Sequence, residues 1–500
     1  MIEQKKSLKA ECKDLLDLSG TRDETRFLTE ALMETQAGLK RAVALQVTDS
    51  EPTISEKLAE LKIKVSSVEL ITESAKISGS CNRTPLVKIE INNEEIANPD
   101  VDVLVIYPIE FNLHPLVLWE KVESVLGMNG VVTIFFRHEN HRDYRLSRWI
   151  EYCVKIGQRF GFDQLGIDCL IRADDRLYAI SMQKKRVPRW NIKHVEPKYQ
   201  PAIAKLFRSI FESEMSFAFW RWKYSNGGGG SILAERDGKI VGHYGGIYRN
   251  ILLFGESDWA FQICDVMVTP EERGIFTKDG PFNLMARTSA EIYGPLGYGF
   301  PNERHAKLAE KAGIGNSMCE MIELSWKPRH SIKKSLYKFQ LFKEPTPFWI
   351  RETNGCWHKM AKSLSSDVVG IRDWDYISSR YVNHPQTKYD ILIISRFLGI
   401  RTLCVAVFKK EGNTVEVMDV IAPVDAMSTV FEALQLFFVG SFDLEIVFWI
   451  ADNQFAHFKD SAPRVRKLNI SVPNSAWTNH PRAAAMKNKW WLTSGDTDFR

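Results

Sequence analysis

Cysteine is scarce and scattered in this sequence, and its spacing argues against two classes of protein. The 500 residues include eight cysteines, at positions 12, 81, 153, 169, 264, 319, 356 and 404, with no Cys-x-x-Cys pair and no Cys/His cluster at zinc spacing. A disulfide-built secreted domain needs dense cysteines, and a structural zinc site needs clustered ligands. We therefore expect reduced thiols in a cytosolic protein and no metal site.

Excess charge and long apolar runs are missing as well. Lys and Arg number 66 against 62 Asp and Glu, which leaves a formal net charge of +4. So small an excess argues against nucleic-acid binding by bulk electrostatics. The N-terminal stretch "MIEQKKSLKAECKD" has no apolar core of signal-peptide length, and no apolar run reaches the ~20 residues of a membrane-spanning helix. These absences predict a soluble, cytoplasmic protein.

Residues 1–185 alternate apolar, strand-like runs with helical stretches. The strand-like runs are "RAVALQVT" (41–48), "SSVELIT" (66–72), "VDVLVIY" (101–107) and "GVVTIFF" (130–136), and the helical stretches include "TISEKLAELK" (53–62). Continuous apolar strands separated by helices predict a parallel sheet covered on both faces. "LGIDCLIR" and "RLYAISMQK", separated by Ala-Asp-Asp, predict an antiparallel hairpin at one edge.

This order resembles a class I S-adenosylmethionine-dependent methyltransferase, so the resemblance implies a Rossmann-like domain over residues 1–185. Glycine is missing where that chemistry needs it: after the first strand the chain reads "DSEPTISEKLAEL", with no glycine between Gly38 and Gly79. Glycine lets backbone approach a cofactor closely. A degenerate scaffold that binds a partner or a substrate is therefore favoured over methyl transfer.

The stretch "CDVMVTPEERGIFTKDGPFNLM" (264–285) is the most informative in the chain. "FQICDVMV" (261–268) predicts a strand and "PFNLMARTSAEIYG" (281–294) a helix with Pro281 at its first position. The loop between them contains Arg273, Lys278 and glycine, and it would present backbone N–H groups at the positive end of a helix dipole. It is either an anion site or a solvated basic turn.

Downstream features favour the anion site. "YGPLGYGFPNERHAKLAEKAGI" (293–314) predicts a short strand and then a helix led by Asn302. Strand, loop, helix, strand and Asn-led helix together resemble the GNAT superfamily of acyl-CoA-dependent N-acyltransferases, over residues 196–330. The resemblance implies acetyl-CoA, or another acyl-CoA, as the cofactor. It also implies a set of cofactor-binding residues: Val266, Met267 and Val268 along the pantetheine, Arg273, Gly274, Ile275, Phe276, Thr277, Lys278 and Gly280 around the pyrophosphate, and Asn302 on the cofactor arm.

This stretch departs from the family pattern at two points. The usual Arg/Gln-x-x-Gly-x-Gly/Ala loop is replaced by Arg273-Gly274 with the next glycine at Gly280, which resembles a subgroup variant. A Tyr that many members carry seven residues after the Asn is Ala309 here, so a general acid must come from elsewhere.

Residues 331–500 repeat the middle segment in outline. "WDYISSRYVN" parallels "FAFWRWKYSN", "EVMDVIAPVD" parallels "QICDVMVTPE", and "IVFWIADNQFAHFKDSA" parallels "GYGFPNERHAKLAEKAG". Such self-similarity indicates duplication. The second copy has no glycine between Gly412 and Gly440 and lacks the basic loop, so it is predicted to be degenerate. The predicted fold class is α/β: a methyltransferase-type Rossmann domain followed by two GNAT-like α+β domains with mixed central sheets.

Acyl transfer from a thioester to an amine needs the amine in its free form. An amine of pKa about 10.4 costs ~4–5 kcal/mol to deprotonate at neutral pH and needs a base, whereas an amine near pKa 8 costs only ~1 kcal/mol. Candidate bases are Asp265, Glu303 and His305. His243 faces either the acceptor cleft or the core, and periodicity leaves both open.

The main hypothesis is an acyl-CoA-dependent N-acyltransferase, an acetyltransferase acting on a small-molecule or sugar amine, with no nucleic-acid partner. Two rivals stay open. One is a non-catalytic scaffold or binding protein built of degenerate enzyme folds. The other is a bifunctional methyltransferase–acetyltransferase acting on a sugar or a surface polysaccharide precursor.

Overall fold

The computed structural model describes most of the chain from Pro115 onward and isolated strands before it. The described residues are 42–46, 65–74, 87–91, 101–110, 115–138, 144–171, 176–224, 229–273, 280–293, 296–311, 315–329, 336–396, 402–441, 443–474 and 483–497. The chain divides into two compact units, one formed by Met1–Val195 with Ile232–Val241 and the other by Glu196–Ser231 with Gly242–Arg500.

The first unit is a seven-stranded mixed sheet with helices between its strands. Its elements are β1 (Ala42–Gln46), β2 (Val65–Ser74), β3 (Val87–Ile91), β4 (Val101–Glu110), α1 (Pro115–Val125), β5 (Leu126–His138), α2 (Tyr144–Arg159), β6 (Phe162–Ile171) and β7 (Arg176–Lys184). The strand order is β3-β2-β1-β4-β5-β7-β6. Strands β2, β1, β4 and β5 run parallel, while β3 and β7 are antiparallel to their inner neighbours.

The predicted strands of this unit are present, and the closing hairpin is confirmed. β6 and β7 pair antiparallel and form one edge of the sheet, and the Ala-Asp-Asp residues between them lie outside the described residues. β3 is an addition that the sequence interpretation missed. The predicted helix over residues 53–62 lies outside the described residues.

Trp119 fills the interior of the first unit between α1, α2 and the sheet. Its side chain is fully buried, its Nε1 donates to the Cys153 carbonyl at 2.7 Å, and its ring lies 4.9 Å from that of Phe162. A Cβ at position 157 would lie 2.5 Å from this indole. Gly157 is therefore required for the close approach of α2 to Trp119.

A short hairpin completes the first unit. β8 (Asn191–His194) pairs antiparallel with residues 232–235 of β9 (Gly229–Arg236). β9 turns into β10 (Lys239–Leu253) through Asp237 and Gly238, with φ of 50° and 72°. Two consecutive left-handed residues are the geometry of a tight hairpin turn, for which Asp-Gly is a preferred sequence.

The second unit is a long mixed sheet covered by helices. Its helices are α3 (Gln200–Phe211), α4 (Phe217–Tyr224), α5 (Pro281–Tyr293), α6 (Glu303–Lys311), α7 (Pro347–Ser363), α8 (Trp374–Ile377) and α9 (Met427–Phe437). Besides β10, its strands are β11 (Glu256–Val268), β12 (Gly297–Gly299), β13 (Asn316–Trp326), β14 (Tyr337–Leu341), β15 (Val368–Gly370), β16 (Asp390–Arg396), β17 (Thr402–Glu411), β18 (Thr414–Ile421), β19 (Glu445–Ala451), β20 (Arg464–Asn474) and β21 (Trp490–Trp491).

The order of these strands is nearly symmetric about its centre: β14-β16-β17-β18-β19-β13-β20-β12-β11-β10-β15-β21. β10 and β11 are antiparallel, β11 and β12 are parallel, and β12 then meets β20. On the other side β17 and β18 are antiparallel, β18 and β19 are parallel, and β19 then meets β13. β13 and β20 pair antiparallel with each other, so β13, from residues 196–330, lies beside β19, and β20, from residues 331–500, lies beside β12.

The largest apolar core of the second unit lies against the strands β16 to β19. Trp326 of β13 stacks on Phe431 of α9 with ring centroids 4.2 Å apart, and Phe431 also contacts Phe448 and Phe458. These rings are all nearly inaccessible to solvent. Trp326 lies on β13, and the pairing of β13 with β19 therefore adds a large aromatic side chain to this core.

Candidate active site

The pairing of β11 with β12 ends partway along β11. Their parallel pairing covers Phe261 to Gly297, Gln262 to Tyr298 and Ile263 to Gly299. β11 then continues to Val268, and among the described residues its strand neighbour there is β10. No described strand pairs with the edge of residues 265–268 that faces away from β10, so within the described part of the chain this edge is open for an extended ligand to pair with.

A β-bulge lies at the point of separation. Gly245 pairs with Cys264 and His243 with Met267, so Asp265 and Val266 together stand opposite Tyr244. Asp265 has a φ of 49°, in the left-handed region that residues other than glycine rarely adopt. A bulge bends its strand and ends regular pairing.

Three side chains converge on Asp265, and we call them with it the Asp265 cluster (Lys223, Tyr224, His243 and Asp265). The Lys223 Nζ lies 3.0 Å from each carboxylate oxygen. The Tyr224 hydroxyl donates to Oδ2 at 2.5 Å, and the His243 Nδ1 lies 2.7 Å from the Asp265 carbonyl oxygen. Lys223 and Asp265 are almost completely buried and form an ion pair in the interior.

The surroundings of Asp265 make its carboxylate a weak base. Burial raises the pKa of Asp265, but the Lys223 ammonium and the Tyr224 hydroxyl together outweigh it, so the pKa lies below its ordinary value. Burial lowers the pKa of His243, which keeps the ring neutral. Since a carbonyl can only accept, Nδ1 carries the proton, and the buried Nε2 has no hydrogen-bond partner among the described residues.

The predicted anion loop is described only at its two ends. After Val268 the chain makes a single 3-10 turn (Pro270–Glu272), and the exposed Arg273 donates from Nε to the Val268 carbonyl at 2.8 Å. Gly280 is buried, and its carbonyl accepts from the Leu284 N–H in the first turn of α5. Gly274, Ile275, Phe276, Thr277 and Lys278 lie outside the described residues.

Asn302 begins α6 as a capping residue. Its Oδ1 accepts from the backbone N–H of His305 at 3.0 Å, which satisfies an N–H that has no partner within the helix. Glu303 is exposed and bonds Lys307 at 2.6 Å, and this hydrogen bond lowers the pKa of its carboxyl. His305 is exposed on the same helix. α6 packs on β13 and β20, whereas the partners of Asp265 come from α4 and β10.

β18 repeats the separation of β11, but its cleft is filled. β18 pairs with β19 over residues 414–417 and continues to Ile421. Beyond that point β19 meets residues 490–497, which we call the C-terminal segment: Ile450 bridges Thr493, the Ala451 N–H donates to the Leu492 carbonyl at 3.1 Å, and the Trp449 N–H donates to the Ser494 hydroxyl at 3.3 Å.

Asp419 of β18 corresponds to Asp265 in its buried position but has different partners. Its carboxylate accepts from the Arg372 Nε at 2.8 Å, from the Tyr376 and Tyr381 hydroxyls, and from Thr493 of the C-terminal segment at 2.9 Å. Arg372 also pairs with Asp496. Burial raises the pKa of Asp419, but Arg372 and the two hydroxyls together outweigh burial, so the pKa lies below its ordinary value.

The sequence interpretation missed Lys223 and Tyr224 as members of the site. A signal for them was present, because "RWKYSN" and "SSRYVN" place Lys223-Tyr224 in parallel with Arg380-Tyr381. Both tyrosines bond the corresponding aspartate. Among the described residues, no group of three or more His, Cys, Asp and Glu side chains is placed to hold a metal ion.

Comparison with known proteins agrees with this geometry. Residues 191–300 match the family model of the acetyltransferase (GNAT) domain. No curated protein sequence matches the chain.

Several solved structures are similar in fold. A probable N-acyltransferase from Enterococcus faecalis V583 is 15% identical, with a TM-score of 0.44, over 57% of this chain and 71% of that one. A GCN5-related N-acetyltransferase from Kribbella flavida is 10% identical, with a TM-score of 0.42, over 57% and 70%. The N-myristoyltransferase of Saccharomyces cerevisiae with bound myristoyl-CoA is 7% identical, with a TM-score of 0.37, over 58% and 80%. All three TM-scores lie below 0.5, so the family model carries the assignment. Residues 191–300 are therefore similar to a GNAT acetyltransferase domain.

Proposed function

We propose that the protein is an acyl-CoA-dependent N-acyltransferase, with acetyl-CoA as donor and a small-molecule or sugar amine as acceptor. The observation that carries the proposal is the separation of β11 from β12 at Ile263, near the first turn of α5, where the Phe282 ring lies 6.4 Å from that of Tyr244 opposite the bulge. An open strand edge suits the amide groups of pantetheine, and a helix N-terminus suits a pyrophosphate. The GNAT match over residues 191–300 supports the same conclusion.

The residues proposed to hold the donor are those that the sequence suggested. Val266, Met267 and Val268 would offer backbone groups to the pantetheine arm. The residues proposed around the pyrophosphate are Arg273, Gly274, Ile275, Phe276, Thr277, Lys278 and Gly280, with Asn302 at the start of α6. Because Asn302 already caps α6 through Oδ1, its amide nitrogen is the group it has to offer.

In the proposed reaction the amine nitrogen attacks the thioester carbon, the carbon–sulfur bond breaks, and the thiolate leaves and takes up a proton. A backbone N–H near Met267 would polarise the carbonyl. Asp265, Glu303 and His305 stay candidate bases. As folded, Asp265 is a poor one, because Lys223 and Tyr224 hold its carboxylate ionised. An acceptor amine of pKa near 8 would need little more than positioning.

The proposed domain organisation is a Rossmann domain over 1–185, an active GNAT domain over 196–330 and a degenerate GNAT-like domain over 331–500. The near-symmetric strand order of the second unit supports the duplication. The C-terminal segment supports the degeneracy of the second copy, because it lies where the first copy is open.

The proposed function is tested by calorimetry with acetyl-CoA. We expect Arg273→Ala with Lys278→Ala to weaken binding at least about a hundredfold, because each charge-assisted phosphate contact contributes about 1.5–3 kcal/mol. A pantetheine analogue without the pyrophosphate should bind both proteins equally. The matched control is Lys359→Ala with Lys467→Ala, which removes the same charge from two exposed positions and should leave binding unchanged.

Two results would contradict the proposal. Equal loss for acetyl-CoA and the pantetheine analogue would mean that the loop is structural. Failure of the wild-type protein to bind acetyl-CoA would favour the non-catalytic scaffold.

The strand order of the first unit bears on a second candidate activity, methyl transfer. The order β3-β2-β1-β4-β5-β7-β6, with an antiparallel β7, is similar to the sheet of class I methyltransferases. We infer a degenerate methyltransferase-like domain and expect calorimetry to detect no S-adenosylmethionine binding. Binding would instead support the bifunctional methyltransferase–acetyltransferase acting on a sugar or a surface polysaccharide precursor.

A further inference from the structure

Asp265 adopts a backbone conformation that needs support. Its φ of 49° lies in the left-handed region, in the middle of a thirteen-residue strand. Residues other than glycine adopt this region at a cost, and they persist there where the surroundings hold them. Neighbouring groups must therefore stabilise this backbone conformation of Asp265.

The polar groups of Asp265 are held by the Asp265 cluster. The carbonyl is turned to the His243 Nδ1, at 2.7 Å, and one carboxylate oxygen is 2.5 Å from the Tyr224 hydroxyl. Lys223 contacts both carboxylate oxygens at 3.0 Å. Lys223 and Tyr224 are consecutive residues at the end of α4, so one helix end fixes both oxygens.

The held conformation lies where β11 leaves its neighbour. Pairing with β12 ends at Ile263, and the bulge at Asp265 and Val266 follows within two residues. β18 also has a bulge after its pairing with β19 ends, between Val417 and Asp419. Asp419 has no positive φ, and the cleft beside it is occupied by the C-terminal segment. The left-handed residue therefore accompanies the open cleft and not the filled one.

We propose that Lys223 and Tyr224 are positioning residues that hold Asp265 in its left-handed conformation and so set the bulge that aims the edge of residues 265–268 at the pantetheine arm of acyl-CoA. This inference rests on the proposed function, because it takes acyl-CoA as the ligand. It assigns Asp265 a positioning role in place of a proton-accepting one. The inference has one distinguishing consequence. Glycine at position 265 adopts positive φ without support, so with glycine there Lys223 and Tyr224 should no longer be needed.

The experiment compares two ligands on four proteins by calorimetry. The ligands are acetyl-CoA and adenosine 3′-phosphate 5′-diphosphate, which lacks the pantetheine arm. The proteins are the wild type, Tyr224→Phe, Lys223→Met, and Lys223→Met combined with Asp265→Gly. The matched control is Tyr381→Phe, which removes the corresponding hydroxyl from Asp419 beside the filled cleft.

We expect Tyr224→Phe and Lys223→Met each to weaken acetyl-CoA binding by about tenfold or more, since each removes a hydrogen bond to a buried charge. The nucleotide should bind with unchanged affinity. The affinity of the double variant for acetyl-CoA should return to within about threefold of wild type. Glycine adopts positive φ without support from Lys223 and Tyr224, and no buried charge is left unpaired. Tyr381→Phe should bind both ligands like wild type.

A merely structural role would give a different pattern. Affinities for both ligands would then fall together with the melting temperature, and Tyr224→Phe would behave like Tyr381→Phe. Either result overturns the inference, as does a double variant that binds acetyl-CoA no better than Lys223→Met. If the wild type binds neither ligand, the proposed function fails and this inference with it. If the wild type binds both and Tyr224→Phe matches it, this inference alone fails.

Discussion

Three buried aspartates of the second unit, Asp265, Asp419 and Asp496, are each paired with a buried cation. Lys223 pairs with Asp265, and Arg372 pairs with both Asp419 and Asp496. A pair of this kind adds little net stability, but removing one partner leaves an unpaired charge and costs about 3–5 kcal/mol. These groups therefore fix the local conformation more than they add stability.

His384 should make the stability of the protein sensitive to mild acid. Its Nδ1 accepts from the backbone N–H groups of Thr387 at 2.9 Å and Gln386 at 3.3 Å, which requires the neutral ring. Burial, aided by Arg380 and Lys223, lowers the pKa of His384 to about 4. The unfolded chain takes up the proton first, so stability is lost as the pH falls from about 6.5 towards 4.

His384→Asn keeps an oxygen acceptor for the two N–H groups and cannot titrate. We expect the loss of unfolding free energy between pH 7 and pH 5 to be smaller in this variant by about 1 kcal/mol, a value discounted for the partial exposure of the ring. Urea unfolding at the two pH values measures it. An equal loss in the variant and the wild type would show that His384 plays no part.

The C-terminal segment is the element that closes the second cleft, and its fit is tight. A Cβ at position 495 would lie 2.1 Å from the Tyr381 hydroxyl and 2.3 Å from the Asp419 Oδ2. Trp490 and Trp491 of the same segment are buried. The segment is therefore packed as part of the interior, and a single added methyl group must displace it or its partners.

We expect Gly495→Ala to lower the free energy of unfolding by about 1–3 kcal/mol through overpacking. The matched control is Gly355→Ala on α7, where an added Cβ meets nothing within 4 Å and the position is exposed. There alanine should raise stability by about 0.5–1 kcal/mol, since glycine is a poor residue inside a helix. Denaturant melts of the three proteins measure both effects. A neutral Gly495→Ala would contradict the packing described for the segment.

At this scale the sequence predicts local elements better than their partners. Apolar runs such as "VDVLVIY" and "IVFWIA" identified β4 and β19, and the Ala-Asp-Asp sequence between two apolar runs identified the hairpin of β6 and β7. The pairing of β13 with β19 and of β20 with β12 was not predictable. Hydrophobic periodicity and strand propensity carry no information about which distant strands pair. Lys223 was missed for the same reason, since 42 residues separate it from Asp265.

At the scale of the whole molecule, one open cleft and one filled cleft lie in the same sheet. β11 is open beyond Ile263 among the described residues, while the corresponding edge beside β19 is occupied by the C-terminal segment. No helix among the residues described is long and apolar enough to cross a membrane. Because only the edge of β11 is open among the described residues, we predict a single acyl-CoA site per chain, in the half of the second unit that contains β11.

Hydrogen exchange of the full chain with and without acetyl-CoA, read by mass spectrometry, tests this claim most directly. We predict slower exchange over residues 265–268 and the first turn of α5, because bound pantetheine and pyrophosphate would occupy those backbone N–H groups. Residues 418–421 of β18 should exchange equally in both states. Protection of residues 418–421 in place of 265–268, or no protection in either strand at saturating acetyl-CoA, would contradict the account.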